Sequence, residues 1–298
     1  MPLIVVKPTT LKALWRSLPS FGGSRRYLAG GTDLVAGANS ASAGVTARPN
    51  GGRPGQSEVW VDISGLKELR GIKETKISLM IGAGVKIAEL EVSPLVRRWL
   101  PVLSAAIPHF ASPSLRNMAT IGGNAANASP CADAVCALCA EKAQVWLEFK
   151  GKKRKLSLPA LFKGPKKTVL RKDELIIAFE VPKWKHSGAY LKLGPRSYFG
   201  ISKAAVAVAL EMDGEKVGSV CIAMASVAPV PLLAVKTANY LCGRMLNQEN
   251  ARTAAALVKT EVSPITDVRS EAGYRREMCG VLLERALNSI ASGVSGIN

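Results

Sequence analysis

Two stretches hold residues whose types and spacing suit chemistry. One is 111–146, ASPSLRNMATIGGNAANASPCADAVCALCAEKAQVW; the other is the upstream turn Leu28-Ala29-Gly30-Gly31-Thr32-Asp33. Each places a glycine pair beside a threonine. Glycine has no Cβ, so backbone N–H groups at such a turn can come close to a ligand. Clustered N–H groups make a concavity for phosphate oxygens, and threonine adds a hydroxyl that donates or accepts. Asp133 follows the second pair after a short polar spacer and suits a sugar-like hydroxyl. Two such turns suggest one anion held from two sides. The whole pattern suits a dinucleotide, with a diphosphate at the glycines and a polyol at the carboxylate. Taken singly, each feature has a plainer meaning: a Gly-Gly pair is usually only a turn, and an aspartate can be a helix cap.

The elements that must position these residues are legible in outline. A strand is expected at Leu3–Lys7, then a helix capped by Thr9 or Thr10, with Leu11, Leu14, Trp15 and Leu18 on one face and Pro19 at its end. Tyr27–Ala29 reads as a short strand entering the first glycine turn, and Asp33–Ala41 as the helix leaving it, an anion-binding arrangement. Residues 39–57 have the Gly, Ser, Ala and Pro content of a loop and carry Arg48 and Arg53. Strands are expected at Glu58–Ile63 and Ile77–Gly82. A short helix or turn begins at Ile87–Glu91, and Leu95–Ile107 is helical apart from Pro101. Gly82-Ala83-Gly84 imitates the start of a Rossmann fingerprint, but Ile87 stands where the third glycine belongs and no βαβ unit surrounds it. The second pair, Thr120 to Asn124, is expected as a loop before a helical stretch. A hairpin-like basic run at 150–155 leads to a strand at Glu174–Val181. Antiparallel strands follow at Ala189–Leu193, Ala204–Met212 and Ser219–Ser226, with Asp213-Gly214 as a hairpin turn. Helices then run over Lys236–Leu241, Asn250–Val262 and Ser270–Ser292, the last with Leu282, Leu283, Ala286 and Ile290 on its apolar face. Sheet followed by helices implies a separate α+β domain. The expected division is 1–57 and 58–182 as two lobes, then 183–298.

Composition narrows the class. The chain has 298 residues, 48% of them hydrophobic, and a mean hydropathy of +0.15. No secretory signal is visible, and the most apolar later stretch, Val220–Val235, is too short and too broken by Pro229 and Pro231 to span a bilayer. A soluble, cytoplasmic protein is expected. Of six cysteines, Cys131, Cys136 and Cys139 imitate the spacing of a [2Fe–2S] ligand run. With no fourth ligand evident, and Cys136 and Cys139 sharing a helix face, small buried residues are the expectation. The net charge of +18 raises a nucleic-acid-binding module as an alternative. No zinc-finger spacing or RNA-binding aromatic motif accompanies it, and a surface docking acidic partners is the other reading. His109 and His186 are the only histidines, with no evident partner and no multi-histidine metal site. Hydrolase motifs are absent.

Five blocks give the sequence a family resemblance: YLAGGTDLV (27–35), VDISGLKELRGI (61–72), IPHFASPSLRNMATIGGNAANASPCAD (107–133), LRKDELIIAFEVP (170–182) and VRSEAGYRREMCGVLLERAL (268–287). The chain resembles the FAD-binding (medium) subunit of the molybdenum hydroxylases, the family of xanthine dehydrogenase, carbon monoxide dehydrogenase and the aldehyde oxidase-like enzymes. The resemblance implies an α+β fold: a two-lobed FAD-binding domain of the vanillyl-alcohol-oxidase-like (PCMH) type, followed by a C-terminal α+β domain. It implies FAD as the cofactor, an iron–sulfur small subunit and a molybdopterin large subunit as partners, and electron transfer from [2Fe–2S] clusters to an acceptor such as NAD. A self-sufficient flavin oxidase is the alternative within flavin chemistry.

The resemblance also assigns residues. Leu28, Ala29, Gly30, Gly31, Thr32, Asp33 and Leu34 match the first FAD loop, with amides and the Thr32 hydroxyl on the diphosphate. Thr120, Ile121, Gly122, Gly123 and Asn124 match the second loop. Phe110 matches an aromatic near the cofactor, Asp133 a carboxylate on its polar chain, and Ile176 an apolar residue on the isoalloxazine ring. Lys192 matches a lysine at the flavin's pyrimidine end, where a cation stabilises the reduced ring. No catalytic side chain is implied. After Arg196, many relatives carry an acidic residue where this chain reads Ser197-Tyr198-Phe199-Gly200, which leaves the acceptor open.

Overall fold

Thr10 sets the first helix. In the computed structural model, which describes residues 4–20, 24–42, 58–195 and 200–293, its side chain accepts from the Ala13 N–H at 3.0 Å, satisfying a donor that the first turn leaves free. The N-terminal unit comprises β1 (Ile4–Val6), α1 (Leu11–Ser17), β2 (Ser24–Leu28), α2 (Leu34–Ser42) and β3 (Glu58–Asp62). Its parallel sheet has the order β1-β3-β2. Leu14, Trp15 and Leu18 pack against Val59 and Val61, as the apolar spacing predicts. The strand at 58–62, grouped by sequence with the second lobe, is instead the centre of this sheet. Strand periodicity identifies a strand's buried face but not its neighbours. Most of the 39–57 loop, and the 197–199 departure, lie outside the described residues.

The second lobe comprises β4 (Ile72–Glu74), β5 (Ser78–Gly82), α3 (Ile87–Val92), α4 (Pro94–Trp99), α5 (Pro101–Ala106), α6 (Pro113–Arg116), α7 (Ile121–Ala126), α8 (Asp133–Ala140), β6 (Gln144–Phe149), β7 (Lys152–Ser157), β8 (Phe162–Gly164), β9 (Lys167–Thr168) and β10 (Leu175–Pro182). Five strands form a sheet in the order β4-β5-β10-β6-β7, antiparallel at every pairing. The basic run is the β6–β7 hairpin, turning at Lys150 and Gly151. Gly82 ends a strand paired to β10, not a nucleotide-binding strand. An ideal Cβ there would sit 2.3 Å from the Leu69 carbonyl oxygen, so its glycine serves close packing. Pro101 divides the expected 95–107 helix, because proline lacks the N–H that would continue it.

The C-terminal domain comprises β11 (Ser187–Leu193), β12 (Ala204–Asp213), β13 (Lys216–Ala225), β14 (Leu232–Leu233), α9 (Val235–Leu241), α10 (Gln248–Glu261) and α11 (Ala272–Ala291). Its antiparallel sheet runs β11-β12-β13-β14. β12 is buried on both faces. Val206, Val208 and Leu210 join a core with α10 and α11, while Ala205, Ala207 and Ala209 face the core of the second lobe, where α5 and α8 pack. The two domains therefore share this sheet. His186, without evident partner in the sequence, lies at the junction. Its Nε2 is 2.8 Å from Glu141 Oε2, both side chains buried, and its ring stacks on Trp184. Glu141 also accepts from the Val102 N–H at 2.9 Å. Among the described residues no helix is long and apolar enough to cross a membrane.

Candidate functional site

The first glycine turn leaves β2 and enters α2. Gly31 holds φ +72°, a conformation that favours glycine. Among the described residues no protein acceptor meets the N–H groups of Gly30, Gly31, Thr32 or Asp33. Gly30 brings this turn against the second stretch: an ideal Cβ would lie 2.1 Å from the Met118 carbonyl oxygen and 3.0 Å from Ala119 Cα. Asp33 reaches further along that stretch, accepting from the Asn127 side-chain amide. Lys166 ties the same corner, 3.5 Å from Asp33 and donating to Asn127 Oδ1 at 2.7 Å.

The second glycine pair departs from the expected loop. Thr120 is the N-cap of α7, and its hydroxyl accepts from the Gly123 N–H at 3.1 Å. A threonine three residues ahead of a free amide starts a helix here even though glycines follow. The Ile121 N–H donates to the Val85 carbonyl at 3.0 Å and the Gly122 N–H to the Ala83 carbonyl at 2.8 Å. These amides are committed to the protein, so the free donors come from the first turn. Gly122 is required by packing, since a Cβ would meet Ala83 Cβ at 2.6 Å. Gly123 is different: among the described residues a Cβ there would crowd Thr120 Oγ1 alone, at 2.9 Å.

Next to these turns is a cavity of about 880 Å³, within the range of ligand pockets, roughly 300–1,000 Å³. Asp33, Phe110, Asn124, Asp133 and Lys192 line it, joined by Cys131 and by Arg275 from the C-terminal domain. The remaining residues of both turns lie beside the cavity, outside its wall. Ile176, expected on the ring, is buried in the core opposite Leu147 and is not a wall residue. Strand alternation at β10 gives its burial but not which cavity it borders.

Asp133 begins α8 and is 6% exposed. Tyr190 Oη donates to its Oδ1 at 2.6 Å, and Lys192 Nζ donates to its Oδ2 at 2.7 Å and to the His109 carbonyl at 2.9 Å. Burial pushes the Asp133 carboxyl upward while Lys192 and Tyr190 pull against it. Burial, then the Asp133 charge, raises the Tyr190 phenol, and burial with the nearby Lys192 charge lowers His109. Asn124 Oδ1 is buried without a partner among the described residues. Opposite, Arg275 donates to the Ser226 carbonyl at 3.0 Å and to Asp267 at 2.5 Å. Ser226 holds φ +65° and donates its N–H to the Pro130 carbonyl at 2.8 Å.

Tyr190, Arg275, Asp267 and Ser226 escaped the sequence reading. Tyr190 had a usable signal: it stands two residues before Lys192 on a strand, hence on the same face. Arg275 and Ser226 had none, since their proximity depends on domain docking. Cys136 and Cys139 are buried on α8 with other small residues, and Cys131 borders the cavity. Among the described residues the groups present fit a dinucleotide: unpaired backbone donors at the first turn, an unpaired buried amide oxygen, and a cavity of suitable size lined by Asp133 and Lys192.

Known proteins give the site its context. Residues 2–184 match the FAD binding domain in molybdopterin dehydrogenase, and residues 189–290 match the CO dehydrogenase flavoprotein C-terminal domain. The carbon monoxide dehydrogenase medium chain of Hydrogenophaga pseudoflava is 32% identical over 236 residues, 78% of this chain and 82% of that one. The xanthine dehydrogenase FAD-binding subunit of Escherichia coli O157:H7 is 27% identical over 79% of this chain and 82% of that one. The solved CO dehydrogenase of Oligotropha carboxidovorans superposes with a TM-score of 0.86 at 29% identity, covering 97% of both chains. The Hydrogenophaga pseudoflava enzyme gives 0.88 at 29% identity, covering 98% of both. The chain therefore belongs to the family of FAD-binding medium subunits of the molybdopterin dehydrogenases, an oxidoreductase family.

Proposed function

We propose that this chain holds one FAD at the cavity between its second lobe and its C-terminal domain. It takes electrons from [2Fe–2S] clusters on a small partner subunit and passes them to an acceptor such as NAD. A large partner carrying molybdopterin oxidises the organic substrate. The observation that carries this reading is the set of unpaired amides at Gly30–Asp33, set beside the cavity lined by Asp133 and Lys192.

Bound FAD supplies the redox chemistry. The chain's own residues bind and orient it. The Gly30–Asp33 amides and the Thr32 hydroxyl face the diphosphate, and Gly123 leaves the room it needs. Each Asp133 oxygen has a lone pair beyond its one protein bond, enough to accept from a cofactor hydroxyl. Lys192 keeps one of its three N–H donors for the flavin, and Phe110 gives an apolar surface. The relatives support the partners: they are named as the medium chains of carbon monoxide dehydrogenase and glyceraldehyde dehydrogenase and the medium subunit of nicotine 6-hydroxylase, enzymes of very unlike compounds. Such variety fits a substrate pocket on another chain.

The test is the native complex. Its visible spectrum is recorded, the chromophore is released and identified, and the reduced complex is mixed with NAD. Released FAD, and reoxidation by NAD, are the expected results. A colourless complex overturns the cofactor assignment; a complex that NAD leaves reduced overturns the acceptor.

A further inference from the structure

Tyr190 is 4% exposed and belongs to the C-terminal domain, yet it bonds to a carboxylate of the second lobe. Asp133 receives one donor on each oxygen, the Tyr190 hydroxyl on Oδ1 and the Lys192 ammonium on Oδ2. Both neighbours donate, so the arrangement suits an ionised carboxylate. The consequence falls on Lys192. One of its N–H groups goes to Asp133 and another to the His109 carbonyl, leaving a third for whatever fills the cavity that Lys192 lines. Without the phenol, Oδ1 loses its one protein donor, which is costly for a buried carboxylate. The nearest remedy is Lys192 itself, drawn across both oxygens and away from the cavity.

We propose that Tyr190 is a positioning residue of the cofactor site: by occupying one oxygen of Asp133, it keeps the Lys192 charge available to the bound flavin. The proposal rests on the FAD reading above. It gives the C-terminal domain control over the cofactor's properties as well as a share of its wall.

The test is Tyr190→Phe in the purified complex, a change that keeps the buried ring and removes only the hydroxyl. FAD affinity is measured by titration after the flavin is stripped, and the midpoint potential of the bound flavin by equilibrium with reference dyes. Thermal unfolding is followed alongside. The expected result is about tenfold weaker FAD and a two-electron midpoint potential about 30 mV lower, the equivalent of a tenfold change in the ratio of affinities for oxidised and reduced flavin. The fall follows from moving positive charge away from the reduced ring. An unchanged or raised potential overturns the proposal, whether or not stability drops, since a purely structural tyrosine alters melting alone. A wild-type complex that binds no FAD overturns the cofactor reading with it.

Discussion

Gly123→Asp separates binding from folding. The fold gives only slightly, because among the described residues an ideal Cβ at Gly123 crowds one atom, Thr120 Oγ1 at 2.9 Å, and that hydroxyl must shift by a few tenths of an ångström. Position 123 is in the first turn of α7, where a carboxylate is favoured by roughly 0.3–1 kcal/mol through the helix dipole. Aspartate also has a somewhat better helix propensity than glycine. These gains offset part of the cost of displacing the Thr120 cap, roughly 0.5–2 kcal/mol, so the predicted loss of stability is about 1 kcal/mol. Binding suffers far more. A carboxylate about 4 Å from a phosphate charge, at a surface-like effective dielectric, is opposed by about 4 kcal/mol. That corresponds to roughly three decades of affinity. The assay is flavin content on purification followed by titration with FAD, with a thermal scan of the apoprotein as control. A variant that melts like wild type and retains full flavin refutes the placement of the diphosphate beside α7.

Gly30→Ala should do the reverse, damaging the fold first. Its Cβ meets the Met118 backbone, so the two turns must part by about 1 Å, and overpacking of this kind costs roughly 1–3 kcal/mol; a lowered melting temperature checks it. Alkylation at neutral pH should modify exposed Cys242 first. Cys136, Cys139 and Cys279 should react only on unfolding, because they are buried and burial pushes their thiols up, Cys279 to about 12; peptide mass spectrometry reads the order. Arg154 grips Glu174 with two bonds, at 2.7 and 2.6 Å, and these hold the Glu174 carboxyl below its usual range. A lowered carboxylate stabilises the fold above the ordinary glutamate value and loses that contribution as pH falls through the lowered one. Arg154→Ala should therefore cost about 2 kcal/mol at pH 7, with melting curves that converge on wild type in acid.

Local signals in the sequence carried furthest. Thr10 as a cap, the Asp213-Gly214 turn and the apolar face of α11 each depend on neighbours a few residues away, and each is found where expected. Position along the chain misled where a long-range partner decides. β3 joins the N-terminal sheet through pairing with β1 and β2. The Gly122 amide is taken by Ala83, a contact no motif encodes. The family pattern assigned Asp133 to the cofactor's polar chain and Lys192 to the flavin's pyrimidine end, each by itself. That they bond to each other, with Tyr190 completing the pair, depends on how α8 meets β11, which the sequence does not state.

That meeting is governed by a spacer of methyl-sized groups. Asp133 begins α8, and of the seven buried residues that follow, Ala134, Cys136, Ala137, Cys139 and Ala140 are small and only Val135 and Leu138 are bulky. Opposite stand Ala205, Ala207 and Ala209 of β12 and Ala223 and Ala225 of β13, in the same core. With so little bulk at these positions, helix and sheet pack closely, and that packing brings Tyr190 and Lys192 within reach of Asp133. These alanines act as a gauge. Replacing one by valine would pry the helix from the sheet and stretch the bonds to Asp133 without touching any ligand. Mutational intolerance in this chain should therefore extend well behind the cavity, into residues whose only chemical property is that they are small.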